Sequence, residues 1–151
     1  GVEFRVLNLD VVKSHEDRKG KATNPGLNDA GVSLHVYMTD TDGDLERLRF
    51  DCFDDEPHYH YVNWPNSWND QVWIDPTVTG DVVAWALDSI RKRLGVMMEK
   101  AGIANATQRI DQKKLEEILP LVTEAAYRAR FHADKGLIQK GAIADGHRRS
   151  A

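Results

Sequence analysis

The stretch that decides the fold runs from residue 32 to residue 64 and has the sequence VSLHVYMTDTDGDLERLRFDCFDDEPHYHYVNW. Apolar and polar residues alternate on both sides of Asp42-Gly43, a pattern typical of two half-buried strands joined by a tight turn. The apolar positions are Val32, Leu34, Val36, Met38, Leu48, Phe50 and Cys52. The stretch therefore predicts a β-hairpin with one apolar face and one polar face.

The length of the hairpin loop follows from the hydrophobic pattern, because a shift of one residue moves every side chain to the opposite face. A two-residue loop would place Val36 opposite Arg49, which mixes apolar and charged groups. A three-residue loop, Thr41-Asp42-Gly43, places Val36 opposite Leu48 and is therefore predicted. The same register gives the pairs Leu34–Phe50 and Val32–Cys52.

A third strand is predicted from His58 to Trp64, after a four-residue turn at residues 54–57. The turn length places Tyr59 and Tyr61 on the apolar face of the sheet. Side chains alternate along a strand, so the two neighbouring histidines then lie on the polar face.

The same register determines which groups meet on the polar face. His60 is expected opposite Asp51, and His35 is expected opposite Arg49. His58 is next to His60 on the same side of the strand. Three imidazoles, one guanidinium and one carboxylate are therefore predicted on one surface.

Three further predictions concern the segments outside the hairpin and the helices. Residues 2–12 are rich in Val, Leu and Phe, which favours a first strand. Residues 13–31 contain Gly, Pro, Asn and Lys with few apolar residues, which predicts a mobile loop. Residues 64–75 are expected to be irregular, and residues 136–151 are expected to form a frayed tail.

Two long helices are predicted in the C-terminal half. The first begins at Asp75-Pro76 or at Thr79 and ends at Gly102, and the second begins at Asp111. Apolar residues recur at steps of three and four, which gives each helix a buried stripe. The stripes are Val83, Leu87, Ile90, Leu94, Met97 and Ala101 in the first helix, and Leu115, Ile118, Leu119, Val122 and Ala126 in the second. The expected fold class is α+β, an antiparallel three- or four-stranded meander packed on two long C-terminal helices.

Composition limits the class of protein to which the chain can belong. It is 41% hydrophobic and 29% charged, which is ordinary globular usage and fits a single domain over residues 1–151. No apolar run could span a bilayer, so no membrane partner is expected. A single cysteine, Cys52, and an N-terminus without a signal-peptide pattern predict a soluble cytoplasmic protein. The net charge of −4 argues against a protein that binds duplex DNA.

The polar face is the surface to which a chemical role can be assigned. The candidate catalytic residues are His60, Arg49, Asp51, His58 and His35. A histidine can transfer protons near neutral pH and an arginine can stabilise a phosphorane, so the set suits acid–base chemistry on a phosphodiester. The alternative is that these are ordinary polar residues, hydrogen-bonded to neighbouring carboxylates.

A metal site is a further chemical alternative. His58 and His60 are separated by about 6.5–7 Å along the strand, which suits two ligands of one metal ion. A third ligand, Asp51 or His35, depends on the predicted register. Because two histidines are too few for a closed site, we expect no bound metal and no cofactor.

The order of these features resembles that of the TumE-type toxins of bacterial toxin–antitoxin pairs. The resemblance covers about residues 32–100. It consists of Arg49-Phe50-Asp51 in a hairpin strand, then Pro57-His58-Tyr59-His60, then a helix after Asp75. It implies RNA or a nucleotide as the substrate.

Three functions are therefore considered. The first is an uncharacterised small bacterial-type domain that serves as a non-catalytic binding or interaction module, as a homodimer or with a protein partner. The second is a toxin-like activity on RNA or a nucleotide through the polar face. The third is a metal-dependent activity through His58 and His60.

Overall fold

The computed structural model describes residues 1–8, 28–40, 43–138 and 147–150 of the chain. Within these residues the strands are β1 (Val2–Asn8), β2 (Asn28–Asp40), β3 (Gly43–Phe53), β4 (His58–Asn63), β5 (Trp68–Trp73) and β6 (His147–Ser150). The helices are α1 (Pro76–Thr79), α2 (Val82–Lys100), α3 (Ala106–Arg109) and α4 (Gln112–Ile138). The strands form one antiparallel sheet in the order β5-β4-β3-β2-β1-β6.

The α+β class is confirmed, and the sheet is larger than the predicted meander. Strands β2 to β5 form an antiparallel meander, β1 pairs with the free side of β2, and β6 pairs with β1. The long helices α2 and α4 pack on the apolar face, where their buried residues join those of the strands in one core. Among the described helices, none combines the length and the apolar character needed to cross a membrane.

The register of the central hairpin is confirmed. The one residue without a partner on the opposite strand, however, lies in a bulge and not in the loop. Val36 is opposite Leu48, as predicted. Beyond this pair the register shifts by one residue at Arg47, which forms a bulge. The ladder then continues until Asp40 is opposite Gly43. The bulge therefore supplies the odd residue that the hydrophobic pattern requires, and the prediction of a three-residue loop was wrong.

Strand β4 has its side chains on the predicted faces, but its partners are shifted by two residues. His60 is opposite Arg49 and His58 is opposite Asp51, so the predicted pair of His60 with Asp51 was wrong. The ladder between β3 and β4 ends at the pair of Asp51 with His58, so residues 52–57 form the connection in place of the predicted 54–57. A shift of two keeps the alternation of side chains, so Tyr61 is buried in the core as expected.

Three segments differ from their predicted structure. Residues 64–75 are not irregular, because a 3-10 turn at Trp64–Asn66 leads into β5. Strand β2 begins at Asn28, inside the predicted mobile loop, and part of the predicted frayed tail forms the end of α4 and β6. The predictions for residues 9–27, 41–42 and 139–146 fall outside the described part of the chain.

The helices begin and end where local chemistry favours it. The side chain of Asp81 accepts hydrogen bonds from two backbone amides of the first turn of α2. Gly102 follows this helix with a φ of +95°, a backbone conformation that glycine tolerates best. In the predicted stripe of α2, Leu94 is only half-buried. In that of α4, Ile118 is 42% exposed, because the neighbouring Leu119 takes the buried position.

Candidate functional site

The structure brings the five predicted polar-face residues together, but it does not expose them to solvent. We use the name polar cluster for His35, Arg49, Asp51, His58 and His60 together with Glu3, Arg5, Ser33 and Glu46. Asp51 is 1% exposed, His60 is 3% exposed and His58 is 6% exposed. The polar face is therefore a buried hydrogen-bonded network instead of the solvated surface that alternation alone suggests.

Asp51 is the centre of the polar cluster. Its Oδ1 accepts hydrogen bonds from Ser33 and from Arg5, whose Nη1 is 3.1 Å away. Its Oδ2 accepts a hydrogen bond of 3.0 Å from Nε of Arg49. Burial raises the pKa of this carboxyl, but the contacts with His58 and His60 and the charges of the two arginines lower it well below its usual value. Asp51 is therefore a carboxylate at neutral pH.

His35 belongs to a second part of the polar cluster, at the β1 side. Its Nδ1 contacts a carboxylate oxygen of Glu46, and its Nε2 lies 2.9 Å from Oε2 of Glu3. Burial lowers the pKa of His35, but the two carboxylates raise it more, so that the net shift is upward. Arg49 joins this part to Asp51, because its Nη1 donates to Glu46 over 3.1 Å.

The two β4 histidines direct their Nε2 atoms at the same carboxylate oxygen. Nε2 of His58 is 3.2 Å from Oδ2 of Asp51, and Nε2 of His60 is 3.4 Å from it. On the other side of each ring, Nδ1 of His58 lies 2.8 Å from the carbonyl oxygen of Glu56, and Nδ1 of His60 lies 2.8 Å from Oδ1 of Asn69. Burial lowers the pKa of His60, the contact with Asp51 raises it and the charge of Arg49 lowers it, so that the net shift is downward.

Asp29 fixes the turn that orients His58. Its carboxylate accepts hydrogen bonds from the backbone amides of Asp55 and Glu56, at 3.0 and 2.9 Å. The carbonyl oxygen of Glu56 then accepts the Nδ1 proton of His58. The position of this imidazole is therefore set by a residue of β2 as well as by β4.

Four members of the polar cluster were missed from the sequence. Glu3 and Arg5 alternate with Val2, Phe4 and Val6 in β1, so the strand pattern itself predicts a polar face for them. What the pattern lacks is the pairing of β1 with β2, which carries Arg5 to Asp51 across a separation of 46 residues. Ser33 has the same parity as His35 in the predicted hairpin and could have been included, whereas Glu46 lies on this face only because of the bulge at Arg47.

A concave surface lies on the helix side of the sheet, away from the polar cluster. We use the name aromatic groove for the depression of about 340 Å³ lined by Tyr59, Tyr61, Trp85, Arg93 and Lys100. The ammonium of Lys100 lies 4.7 Å from the centre of the Tyr61 ring. Within the described residues, neither Arg93 nor Lys100 forms an ion pair. The sequence pattern placed Tyr59 and Tyr61 on the apolar face of the sheet and predicted no site there.

Comparison with known proteins places the chain in a family but assigns it no activity. No curated protein and no solved structure matches the chain. The resemblance to TumE-type toxins has no counterpart among the matches. A family model described as "Domain of unknown function (DUF7700)" matches residues 1–126, which contain the polar cluster and the aromatic groove. The chain therefore belongs to this uncharacterised family.

Proposed function

We propose that the chain is a non-catalytic binding domain, and that the aromatic groove is its ligand site. The observation that carries the proposal is the combination of three aromatic rings with two cations that lack acidic partners among the described residues. Small-molecule sites are typically concave and apolar, with a few polar groups that orient the ligand. The groove suits a small ligand that has a flat ring and a negative charge.

The lining of the aromatic groove provides separate contacts for the two parts of such a ligand. Trp85 packs against Tyr59 with ring centres 5.8 Å apart, and the rings of Tyr59 and Tyr61 meet edge to face at 5.4 Å. These rings offer apolar surface to a planar group. Arg93 and Lys100 lie on the exposed side of α2, where they can attract an anion without first breaking an ion pair.

The tyrosine hydroxyls add neutral polar groups to the aromatic groove. Burial, the hydrogen bond with Tyr59 and nearby Asp70 raise the pKa of Tyr61 to about 12. Its hydroxyl is therefore protonated at neutral pH and adds no negative charge to the groove. Asp70 lies opposite Tyr61 in the sheet, so the anionic part of a ligand is expected at the Arg93 side, away from this carboxylate.

The polar cluster supports the non-catalytic part of the proposal. A general acid or base must reach the proton that it transfers, directly or through one water molecule. His58 and His60 are buried and face a carboxylate that two arginines and a serine already contact. These contacts are typical of a buried carboxylate that stabilises the fold.

Adenosine 5′-monophosphate is a suitable probe of the aromatic groove, because it has both a flat ring and an anionic group. We expect saturable binding, measured by tryptophan fluorescence and by NMR titration. Adenosine, which lacks the phosphate, should bind more weakly. Trp85→Ala should weaken the binding of the nucleotide about tenfold through lost stacking. Arg93→Ala should remove most of the difference between the nucleotide and the nucleoside.

Two variants provide matched controls for this experiment. Trp64→Ala removes an exposed tryptophan outside the groove, and Arg91→Ala removes an exposed arginine of α2 that faces α4. Neither should change the affinity by more than about twofold, since neither residue lines the groove. Equal effects of Arg91→Ala and Arg93→Ala would contradict a specific site. Concentration-dependent association that Trp85→Ala abolishes would instead identify a homodimer contact.

The convergence of His58, His60 and Arg49 on Asp51 favours a second candidate, a toxin-like activity on RNA or a nucleotide. Its test is degradation of RNA, or slowed bacterial growth, caused by the wild-type chain. If either is observed, His60→Ala and Arg49→Lys should abolish it, whereas an exposed change such as His132→Ala should not. Because His60 is buried, its variant needs a check of folding by circular dichroism. An active Arg49→Lys variant would place the activity elsewhere.

A further inference from the structure

We propose that Asp51, His58 and His60 form a binding site for one divalent transition-metal ion of the zinc class. The two imidazole nitrogens and the carboxylate oxygen all lie within 4.8 Å of one another, and all three residues are buried. Two histidines and one carboxylate are a donor set used by zinc and by non-haem iron proteins. The proposal concerns the polar cluster and is independent of the aromatic groove.

The spacing of the Asp51 oxygen from each of the two imidazole nitrogens suits a metal ion. Bonds of 2.0–2.1 Å in a tetrahedral site separate neighbouring ligand atoms by about 3.3–3.4 Å. Oδ2 of Asp51 is 3.2 Å from Nε2 of His58 and 3.4 Å from Nε2 of His60. Asp51 also supplies the third ligand that the sequence left undetermined. The reason for expecting no metal, that two histidines are too few, therefore no longer applies.

The proton on His58 is on the wrong nitrogen for a hydrogen bond to Asp51. A backbone carbonyl can only accept, so the contact of 2.8 Å with Glu56 requires the proton on Nδ1 of His58. In the neutral ring, Nε2 then carries a lone pair that faces the carboxylate of Asp51 at 3.2 Å. Two acceptors at this distance repel each other unless a cation lies between them, either a second proton on the ring or a metal ion.

His60 has the same arrangement. Its Nδ1 lies 2.8 Å from Oδ1 of Asn69, which can only accept a hydrogen bond. Its Nε2 has no hydrogen-bond partner among the described residues, although the atom is buried and directed at Asp51. A buried imidazole nitrogen without a partner costs free energy, and coordination would satisfy it. Glu56 and Asn69 are thus the outer contacts that orient two metal-binding histidines.

The positive charges around the site are the main obstacle to the binding of a cation. Arg5 and Arg49 both contact Asp51, and Nε of Arg49 shares Oδ2 with the two histidines. The two positive charges are compensated by three negative charges in the polar cluster, those of Asp51, Glu3 and Glu46. His58 and His60 are neutral as ligands. The immediate surroundings therefore carry one net negative charge when His35 is neutral and no net charge when His35 is protonated, so no net positive charge opposes a cation.

The proposal is tested with the full chain after treatment with a chelator. Titration with Zn²⁺ in a calorimeter should show one ion bound per chain and a rise in the midpoint of thermal unfolding. Co²⁺ should give the intense visible absorption of a tetrahedral site. His58→Ala and His60→Ala should each abolish both signals. His132→Ala is the matched control, because it removes an exposed histidine of α4, and it should change neither signal.

A variant outside the donor set keeps the test decisive if the histidine variants do not fold. Asn69 is exposed, so Asn69→Ala should fold normally, but it removes the acceptor that orients His60. We expect it to weaken Zn²⁺ binding about 10–100-fold. No binding of Zn²⁺ or Co²⁺ by the folded wild-type chain would overturn the proposal. Binding that Asn69→Ala leaves unchanged would also overturn it. Trp85→Ala should leave Zn²⁺ binding unchanged, so that the test of the metal site is independent of the test of the aromatic groove.

Discussion

An Asp51→Asn variant is expected to lose a large part of its stability. The substitution keeps the size of the side chain but removes the charge that Arg5 and Arg49 contact at 3.1 and 3.0 Å. It also replaces one acceptor oxygen by an amide nitrogen, which donates where donors already point. Removing one partner of a buried ion pair typically costs about 3–5 kcal/mol. Since domains of this size are stable by about 5–15 kcal/mol, this loss should lower the midpoint of unfolding markedly.

Urea denaturation measures this loss, and an exposed aspartate provides the control. Asp88 pairs with Lys92 one helical turn away, and both side chains are more than half exposed. Asp88→Asn should change the free energy of unfolding by no more than about 0.5 kcal/mol. If the two variants differed by less than about 1 kcal/mol, the network around Asp51 would not hold the sheet face together.

The hairpin shows how much of the fold the sequence could predict. The alternation of apolar residues required Val36 opposite Leu48, and this pair is present. The pattern could not decide whether the odd residue lies in the loop or in a bulge, because both solutions give the same parity. In the structure it is Arg47, a charged residue that the alternation assigned to an exposed position but that is buried.

The pairing of β4 was predicted less well, for a related reason. Parity decides the face on which a side chain lies but not its partner, so a shift of two residues leaves the hydrophobic pattern unchanged. His58 and His60 were assigned to the right face, and only their neighbours were wrong. Strand β5 was missed because Trp, Asn, Asp and Gln give it no consistent alternation.

The sequence predicted which five residues share the candidate site, but it did not predict that they are buried. Five of its side chains follow from strand parity. Its burial depends on contacts between distant segments, such as Arg5 with Asp51, and a single strand pattern does not contain these. If the polar face were exposed, as strand parity alone predicts, a His60→Ala change would leave thermal stability nearly unchanged. With His60 only 3% exposed, the same change should also affect stability.

A Gly31→Ala variant is expected to separate the two central strands. Gly31 lies opposite Phe53, within the segment that the sequence assigned to a mobile loop. A Cβ atom at this position would lie 2.2 Å from the carbonyl oxygen of Cys52 and 2.8 Å from Cα of Phe53. Both atoms belong to the backbone of β3, so no side-chain rotation relieves the clash. Overpacking costs about 1–3 kcal/mol where side chains can adjust, and more is expected here.

The Gly31→Ala change should also disturb the polar cluster, because the residues that precede Gly31 hold the β3–β4 turn in place. Ala30 accepts a hydrogen bond from the amide of Asp54, and Asp29 holds the amides that precede His58. Thermal unfolding measures the loss of stability. Gly80→Ala is the matched control, since a Cβ there meets no atom within 4 Å and only the φ of +68° opposes it. That control should cost about 1–3 kcal/mol, because its ψ of −133° places it outside the regions that other residues adopt readily. A Gly31→Ala variant as stable as Gly80→Ala would mean that β2 and β3 can separate at this point without disturbing the rest of the sheet.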